Sequence, residues 1–500
     1  MSDISHFTNN QSYDGVSTAR QPVFNPATGT SSYSVRLGVS EDVDAIVANA
    51  NAAWPAWSKT PPLRRARILD RFKAILWERA ETLARAISAE HGKTHEDALG
   101  EVTRGIEVVE FAVSAPTLLK GDFSENAGTG IDCYAVRQSL GVVAGITPFN
   151  FPAMVPMWMF PVALACGNTF VLKPSERVPT ASLLLASWLA EAGLPDGVFN
   201  VIQGGKEAVN ALLYHPDVKA ISFVGSTPIA KYIHQSASEQ GKRVQALGGA
   251  KNHMVIMPDA DLEMAANALM GAAFGSAGER CMAISVAVPV TEAVANRLVE
   301  ILAPKIEALK IGPSIDPGSE MGPLVTAEHL KKVRGYIDSG EAEGCRLVVD
   351  GRTFSQSMQG YEDGYFIGGT LIDHVEQSMS IWREEIFGPV LSVVRRDSYQ
   401  DAVDLIHGHE FANGVSVFTR DGDVARNFSQ DIEVGMVGIN VPLPVPMAYH
   451  SFGGWKTSIF GDHAMHGMEG VRFYTRIKTT TTRWPTGMRT DPEFVMPTLG

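Results

Sequence analysis

Cys281 is the residue whose type and setting could do chemistry most directly. It lies in the run Gly-Glu-Arg-Cys-Met-Ala at residues 278–283, after a Gly-Ser-Ala-Gly sequence and before an apolar stretch. A thiol on such a turn can be exposed, and a neighbouring cation such as Arg280 lowers its pKa and favours the nucleophilic thiolate. A single cysteine is more often a small buried apolar residue. The interpretation as a nucleophile therefore depends on other segments.

Asn150 is a second candidate. It lies in the run Ile-Thr-Pro-Phe-Asn-Phe-Pro at residues 146–152, where an apolar strand turns into a helix. A side-chain amide at this place can donate a hydrogen bond to an oxyanion that develops during a reaction. Asparagine is also a common turn residue, so the segment alone leaves both interpretations open.

Two further segments follow apolar strands and could bind a nucleotide. In the run at 172–176, Lys173 and Glu176 could bracket a ribose, and Glu176 would repel a 2′-phosphate. A solvated charge pair is the alternative. In the run at 223–230, Ser226 precedes a helix whose N-terminus could bind phosphate, or Ser226 only caps that helix. The chain has no G-x-G-x-x-G fingerprint.

The acidic run Glu-Glu-Ile-Phe-Gly-Pro at residues 384–389 precedes an apolar strand. Two adjacent acids before such a sequence are usually a surface turn. This segment gains meaning only in combination with the others.

Composition limits the class of protein. The chain has 500 residues, of which 45% are hydrophobic, so it can form two or three domains. A net charge of −13 argues against nucleic acid or an anionic membrane surface as the main partner. Residues 151–172 lack charge, but three prolines interrupt them, which predicts a buried helix followed by a buried strand.

The cysteines predict neither disulfides nor a metal site. The four are Cys133, Cys166, Cys281 and Cys345, without a C-x-x-C pair or zinc spacing. Reduced thiols fit a cytosol-like compartment, and no signal peptide is visible at the N-terminus. We therefore expect a cytoplasmic protein without a metal.

The chain-wide pattern predicts an α/β fold. Short β-rich runs alternate with helical stretches from 141 to 249 and again from about 253 to 440. This alternation predicts two parallel sheets with helices on both faces, hence two α/β domains. The segments 121–140 and 471–484 stand outside it and look like exposed strands that invite another chain.

Taken together and in this order, the segments around Asn150, Lys173, Ser226, Cys281 and Glu385 resemble the aldehyde dehydrogenase superfamily across nearly the whole chain. The resemblance implies an aldehyde dehydrogenase-like fold of two parallel-sheet α/β domains plus a β-strand oligomerisation arm. The implied ranges are 1–120 and 141–249 for the NAD-binding domain, 250–465 for the catalytic domain, and 121–140 and 466–490 for the arm.

The resemblance also implies roles for individual residues. Cys281 would be the nucleophile, and Asn150 with the backbone N–H of Cys281 would form the oxyanion hole. Lys173 and Glu176 would bind the adenosine ribose, and Glu385 the nicotinamide ribose. The full set of implied NAD contacts is Thr147, Phe149, Lys173, Glu176, Gly225, Ser226, Glu385 and Phe387.

One position departs from the superfamily in a way that changes the expected chemistry. The usual general base is a Glu before Leu-Gly-Gly, and this chain has Ala246 there. Alanine cannot accept a proton from water, and general-base catalysis is typically worth about 10²–10⁴-fold. Hydrolysis of a thioester on Cys281 should be slow, whereas a thiol acceptor needs less help.

Several runs resemble one branch, the CoA-acylating methylmalonate-semialdehyde (malonate-semialdehyde) dehydrogenases. They include residues 245–253, 278–283 and 440–446. In that branch two arginines hold the substrate carboxylate, and the matching positions are Arg104 and Arg280. A guanidinium suits a carboxylate through its bidentate fork. As alternatives, Arg104 could be an exposed helix charge and Arg280 could only tune the thiol.

The expected function is NAD-dependent oxidation of a semialdehyde through a Cys281 thioester, loss of CO₂ and transfer to CoA, giving propanoyl-CoA or acetyl-CoA. The rival is a dehydrogenase that releases a free acid. We expect a homo-oligomer, either dimer or tetramer. Glu279, where Gln is commoner, would place a negative charge near the thiol; Ala230 and residues 452–456 also depart from the branch.

Overall fold

A computed structural model describes residues 3–354 and 359–484. Helices and strands alternate through most of this range, with two short 3-10 helices at Gly275–Gly278 and Gly351–Thr353. The α-helices in this range are α1 (Ser40–Lys59), α2 (Pro62–Glu78), α3 (Ala80–His91), α4 (His95–Val113), α5 (Ala115–Leu118), α6 (Met154–Ala165), α7 (Thr180–Glu191), α8 (Lys206–Tyr214), α9 (Thr227–Glu239), α10 (Leu262–Phe274), α11 (Glu292–Glu307), α12 (Ala327–Ala342), α13 (Ser380–Arg383), α14 (Tyr399–His407), α15 (Gly422–Asp431) and α16 (Gly467–Phe473).

The strands are short, as expected for α/β architecture. They are β1 (Asp3–Ile4), β2 (His6–Thr8), β3 (Gln11–Tyr13), β4 (Arg20–Asn25), β5 (Thr30–Arg36), β6 (Asp122–Gly128), β7 (Ile131–Ser139), β8 (Val142–Ile146), β9 (Thr169–Lys173), β10 (Phe199–Val201), β11 (Val218–Val224), β12 (Arg243–Leu247), β13 (Asn252–Ile256), β14 (Ile284–Pro289), β15 (Arg346–Val349), β16 (Thr370–Asp373), β17 (Val390–Val393), β18 (Phe411–Ala412), β19 (Gly414–Phe418), β20 (Met436–Ile439), β21 (Trp455–Lys456), β22 (Ile459–Phe460) and β23 (Thr475–Arg483).

The first large sheet has eight strands in the order β22-β12-β11-β8-β9-β10-β2-β3. Its five central strands are parallel, which confirms the predicted βαβ pattern of residues 141–249. Apolar side chains from helices cover both faces and form two buried clusters. The carboxyl ends of β8, β9, β11 and β12 therefore lie at one edge, where ligand crevices of such sheets form.

The second large sheet has seven strands in the order β15-β16-β17-β14-β13-β19-β20. Six of them are parallel, and only β15 is antiparallel to its neighbour. This confirms the second predicted α/β unit. Because β12 leads directly into β13, the carboxyl edge of the first sheet faces the amino edge of the second. Cys281 precedes β14 and Glu385 precedes β17, so both lie at that edge.

One strand of the predicted range 250–465 belongs to the first sheet instead of the second. β22 pairs with β12 of the first sheet although it lies within the range 250–465. Its pairing shields the edge of β12 and returns the chain to the first unit. This return was not predicted from the sequence, because β22 has only two residues.

The two segments outside the alternation form one antiparallel sheet in the order β23-β7-β6. Both segments contain the predicted strands, but the second segment is not strand throughout. Residues 467–473 form α16, in which Gly467, Gly470 and Val471 are buried at the i, i+3, i+4 spacing of one helical face. Residues 485–490 of the predicted range lie outside the described residues.

The uncharged segment 151–172 forms the buried helix α6 followed by the buried strand β9, as predicted. All twelve residues of α6 are buried, so its apolar character serves the core. Within residues 3–354 and 359–484, every helix is too short or too polar to span a bilayer.

Candidate active site

Cys281 lies at the end of a tight left-handed turn between α10 and β14. Ser276, Ala277 and Gly278 all have positive φ angles, of 53°, 51° and 73°. A Cβ on Gly278 would lie 2.2 Å from the carbonyl oxygen of Gly388, so only glycine lets the two segments touch. The backbone geometry thus fixes Cys281 beside the segment that carries Glu385.

Two cavities meet at Cys281. One, of about 210 Å³, is lined by Pro148, Phe149, Asn150, Val224, Gly225, Ser226, Gly248, Cys281, His329, Lys332, Glu385 and Phe387. The other, of about 320 Å³, is lined by Asp97, Gly100, Glu101, Arg104, Phe151, Met154, Trp158, Arg280, Cys281, Met282, Leu443, Val445 and Phe452. The first contains most of the predicted cofactor contacts, and the second contains both predicted carboxylate-binding arginines.

The electrostatics of the thiol differ from the sequence-based expectation. Burial, and after it the charge of Glu385, raises the pKa of Cys281 to about 12, and the lowering effect of Arg280 is smaller. Arg280 therefore does not activate the thiol in this structure. Cys281 is only partly exposed, and Asn252 and Asn413 donate hydrogen bonds to its carbonyl oxygen at 3.0 Å and 3.2 Å.

Asn150 is buried between β8 and α6 and does not act as a simple turn residue. Its side-chain Nδ2 donates a hydrogen bond to the carbonyl oxygen of Glu279, 3.0 Å away. The amide has a second N–H, and Asn150 lines the same cavity as Cys281. The arrangement can present a donor to an oxygen bound near the thiol.

Glu279 does not place a free charge near the thiol, contrary to the expectation from sequence. Its side chain is fully buried, and burial raises its pKa well above the usual range, which favours the neutral acid. One carboxyl oxygen accepts a hydrogen bond from the backbone N–H of Val325 at 3.3 Å. The Glu279 side chain lines neither cavity.

Glu385 is not a surface residue. Its Oε1 accepts a hydrogen bond from the backbone N–H of Ala250 at 3.0 Å, and burial raises its pKa to about 6. A Cβ on Gly249 would lie 2.7 Å from its Oε2, so this glycine makes room for the carboxyl. The buried Lys251 donates to the carbonyls of Ile381 and Glu384 at 2.6 Å and 2.8 Å and anchors the segment.

Phe387 is held in a strained backbone conformation with φ of 59°. Its carbonyl accepts a hydrogen bond from Nε2 of His329 at 2.6 Å. Its ring packs edge-to-face on Phe149 with centroids 6.0 Å apart. His329 was missed by the sequence analysis, because a lone histidine on a helix carries no local signal.

Ser226 is at the N-cap of α9 but makes no capping hydrogen bond with its side chain. The hydroxyl of Thr227 instead accepts from the backbone N–H of Gly249 at 2.8 Å. The simple cap interpretation of Ser226 is therefore wrong. The helix end remains open toward the cavity, and such an end favours an anion.

Lys173, Glu176 and Thr147 lie at the same sheet edge but line neither cavity. Lys173 Nζ and a Glu176 carboxyl oxygen are 3.1 Å apart. Burial raises the pKa of Glu176, but Lys173 and hydrogen bonds outweigh this and lower it overall, so the carboxyl is ionised. The buried Thr147 hydroxyl has no hydrogen-bond partner among the described residues.

Arg104 and Arg280 both face the second cavity, and each already has an acidic neighbour. Arg280 forms an ion pair with Asp97. Its guanidinium packs against Gly275, where a Cβ would lie 2.5 Å from a guanidinium nitrogen. Arg104 pairs with Glu107 at 2.6 Å and donates to the carbonyl of Pro446. A guanidinium has five N–H donors, so these contacts orient each fork without using all of it.

Ala246 is fully buried in β12, opposite Phe223 of β11 and Phe460 of β22. It lines neither cavity. The only carboxyl that lines the first cavity, among the described residues, is that of Glu385. Within the same residues, no group of three or more His, Cys, Asp or Glu side chains is arranged to hold a metal ion.

The fold and this site define a class of enzyme. The chain belongs to the aldehyde dehydrogenase family, which it matches over residues 13–480. This confirms the resemblance drawn from the separate motifs.

Individual relatives are more specific. The chain is 60% identical to a malonate-semialdehyde dehydrogenase of Pseudomonas aeruginosa over 93% of each chain. It is 50% identical to another of Halalkalibacterium halodurans, over 96% of this chain and 98% of that one.

Solved structures agree with these relatives. A Sinorhizobium meliloti protein assigned as a methylmalonate-semialdehyde dehydrogenase and crystallised with NAD superimposes with a TM-score of 0.96, at 55% identity over 98% of this chain and 99% of that one. The methylmalonate-semialdehyde dehydrogenase of Oceanimonas doudoroffii has the same TM-score at 56% identity, over 97% and 99%.

Proposed function

We propose that the protein oxidises malonate or methylmalonate semialdehyde with NAD and transfers the acyl group, after loss of CO₂, to CoA. The observation that carries this proposal is the position of Cys281 between two cavities of different chemistry. One has an open helix end and the half-buried carboxyl of Glu385, and the other has two arginines.

Cys281 is the nucleophile in this proposal. The thiolate attacks the aldehyde carbon, and the resulting oxyanion accepts hydrogen bonds from the second N–H of Asn150 and the backbone N–H of Cys281. Loss of hydride from this adduct leaves a thioester on Cys281. Because the pKa of the thiol is high, most of it is protonated near neutral pH. The free energy needed to form the thiolate therefore adds to the activation barrier.

The first cavity fits a dinucleotide. The open N-terminus of α9 suits a pyrophosphate, and the Glu385 carboxyl can accept hydrogen bonds from ribose hydroxyls. Beyond the cavity, at the same sheet edge, the buried Thr147 hydroxyl has no hydrogen-bond partner among the described residues. Bound NAD would supply the hydride acceptor. Phe387 and Phe149 would restrict the space beside Cys281, and the ionised Glu176 disfavours a 2′-phosphate.

The second cavity fits the substrate. Its apolar wall of Phe151, Trp158 and Phe452 can pack on a short carbon chain, and Arg104 and Arg280 can bind a carboxylate at its end. A carboxylate two carbons from a thioester carbonyl loses CO₂ readily, because that carbonyl stabilises the enolate. This chemistry distinguishes the substrate from a simple aldehyde.

Ala246 favours a thiol over water as the acceptor of the acyl group. No carboxyl stands at that position, so water lacks its usual general base there. A thiol acceptor such as CoA depends less on such help. The rival function is an NAD-dependent dehydrogenase that uses water and releases a free acid.

The test is a product assay with NAD and each semialdehyde, with and without CoA. We expect a burst of NADH, slow turnover without CoA, and an acyl-CoA thioester when CoA is present. Cys281→Ser serves as the blank and should form no NADH while still binding NAD. A free acid as the sole product, at a rate that CoA does not change, would establish the rival.

A further inference from the structure

A buried ion pair lies directly behind Asn150. Lys93, in the link between α3 and α4, and Glu101, on α4, have side chains with no exposed area, and Lys93 Nζ is 2.9 Å from Glu101 Oε2. A buried pair of this kind contributes little net stability, because desolvation offsets the attraction. Its presence beside the site calls for another explanation.

Glu101 fixes one end of this pair to the start of α6. Its Oε1 accepts hydrogen bonds from the backbone N–H groups of Ala153 and Met154 at 2.8 Å and 3.1 Å. These N–H groups lie at the N-terminus of a fully buried helix, where a carboxylate is favoured. The carboxyl therefore has one oxygen on the helix and the other on Lys93.

Lys93 connects that anchor to Asn150. Its Nζ donates to the backbone carbonyl of Asn150 at 2.6 Å and lies 4.2 Å from the ring centroid of Phe151. Asn150 is held from its other side by the hydrogen bond from its Nδ2 to the carbonyl of Glu279. The backbone and the amide of Asn150 are thus restrained separately, and one N–H is left for the cavity.

We propose that Lys93, anchored by Glu101, is a positioning residue that sets the amide of Asn150 for the oxyanion. The inference rests on the proposed function, since it assumes that Asn150 is the oxyanion donor. Lys93 lines neither cavity, whereas Glu101 lines the second one. Lys93 reaches the oxyanion donor through its hydrogen bond to the carbonyl of Asn150. Displacement of a donor by a fraction of an ångström weakens its effect in the transition state.

The test is a double-mutant cycle between the ion pair and Asn150. The variant Lys93→Met/Glu101→Gln replaces both charges by neutral side chains of similar length and leaves no unpaired buried charge. We expect its NADH burst rate to fall about 10- to 100-fold, below the roughly 10²–10³-fold expected for Asn150→Ala. In the Asn150→Ala background the same pair of changes should cost less than twofold, because the donor is already gone.

Two readouts separate positioning from loss of structure. Alkylation of Cys281 by iodoacetamide needs no oxyanion hole, so its rate should stay within twofold in the pair variant, as should the Kd for NAD. Lys242→Met is the matched control, because Lys242 is also buried and donates to two backbone carbonyls, those of His215 and Val218, away from the cavities. It should lower Tm without lowering the burst rate.

The outcomes are distinct. Additive losses in the cycle, or an unchanged burst in the pair variant, overturn the positioning role. If the pair variant does not fold, Lys93→Met replaces it, because this change removes the donor to Asn150 and leaves Glu101 on the N–H groups of Ala153 and Met154. A burst change under twofold then overturns the role. Absence of a burst in the parent enzyme would instead reject the proposed function.

Discussion

The negative charge of Glu385 disfavours ionisation of the Cys281 thiol. Glu385 is the largest cause after burial of the raised pKa of Cys281, which is about 12. Below this pKa each unit of pH raises the thiolate fraction about tenfold, so alkylation by iodoacetamide should accelerate steadily from pH 7 to 10. Glu385→Gln removes the negative charge, lowers the thiol pKa and should speed alkylation at pH 8 without NAD.

Glu384→Gln is the control for that experiment, since the Glu384 carboxyl binds Tyr336 at the surface, 2.7 Å away. It should leave the alkylation rate unchanged. Equal acceleration by both variants would mean that Glu385 has no special influence on the thiol.

Arg104 should matter only for substrates with a carboxylate. Arg104→Leu should reduce kcat/KM for malonate semialdehyde by about 10²-fold, the scale of a lost charge-assisted hydrogen bond, and leave propanal within threefold. Arg297→Leu is a matched control, because Arg297 also pairs with a Glu three residues later, Glu300, but on the exposed face of α11. A similar loss on both substrates would give Arg104 a structural role only.

Glu176 should set the choice of cofactor. Its pKa is lowered overall, so the carboxyl stays ionised near neutral pH and repels a 2′-phosphate. We expect a higher kcat/KM with NAD than with NADP. Glu176→Gln should reduce the ratio of the two kcat/KM values. If the native enzyme prefers NADP, Glu176 does not bind the adenosine ribose.

Sequence analysis found the residues that carry chemistry but not those that hold them. Cys281, Asn150 and Glu385 lie in short local motifs, and the order of these motifs along the chain indicated the family. Lys93, Glu101 and His329 act through contacts between segments far apart in the chain. Burial reversed two electrostatic expectations, for Arg280 and Glu279, because a linear pattern shows which charges are adjacent but not the solvent around them.

At the scale of elements, the parallel sheets were predictable because long alternating patterns repeat. The end of the arm was not, since α16 has only seven residues and its helical burial pattern is too short to distinguish from the strand β23 that follows. The two-residue strand β22 was invisible for the same reason, as its pairing with β12 depends on the folded edge.

The left-handed turn before Cys281 should be intolerant of a side chain. Gly278→Ala forces a Cβ to within 2.2 Å of the Gly388 carbonyl at a positive φ, so the turn and the Glu385 segment must separate. We expect a loss of at least about 10-fold in burst rate, because a small misplacement of reacting groups is costly. Gly335→Ala, in α12 with open space at its Cβ position, is the control and should keep full activity.

At the scale of the whole molecule, the three-stranded sheet β23-β7-β6 exposes large apolar side chains. Ile477 on β23 is 61% exposed and Phe123 on β6 is 64% exposed, and β23 and β6 are the outer strands of this sheet. Such surfaces are typical of contacts with another copy. We therefore propose that this sheet joins copies of the chain into a closed homo-oligomer.

Ile477→Lys tests this assembly. A charge placed on the strand that another copy covers would be buried without a partner, which opposes association. Light scattering should give a mass above 53.9 kDa for the native chain and a lower mass, or stronger dependence on concentration, for the variant. Ile315→Lys, at an 80% exposed loop position outside the sheet, should keep the native mass. A monomeric native enzyme, or loss of mass in both variants, would show that the sheet does not form the interface.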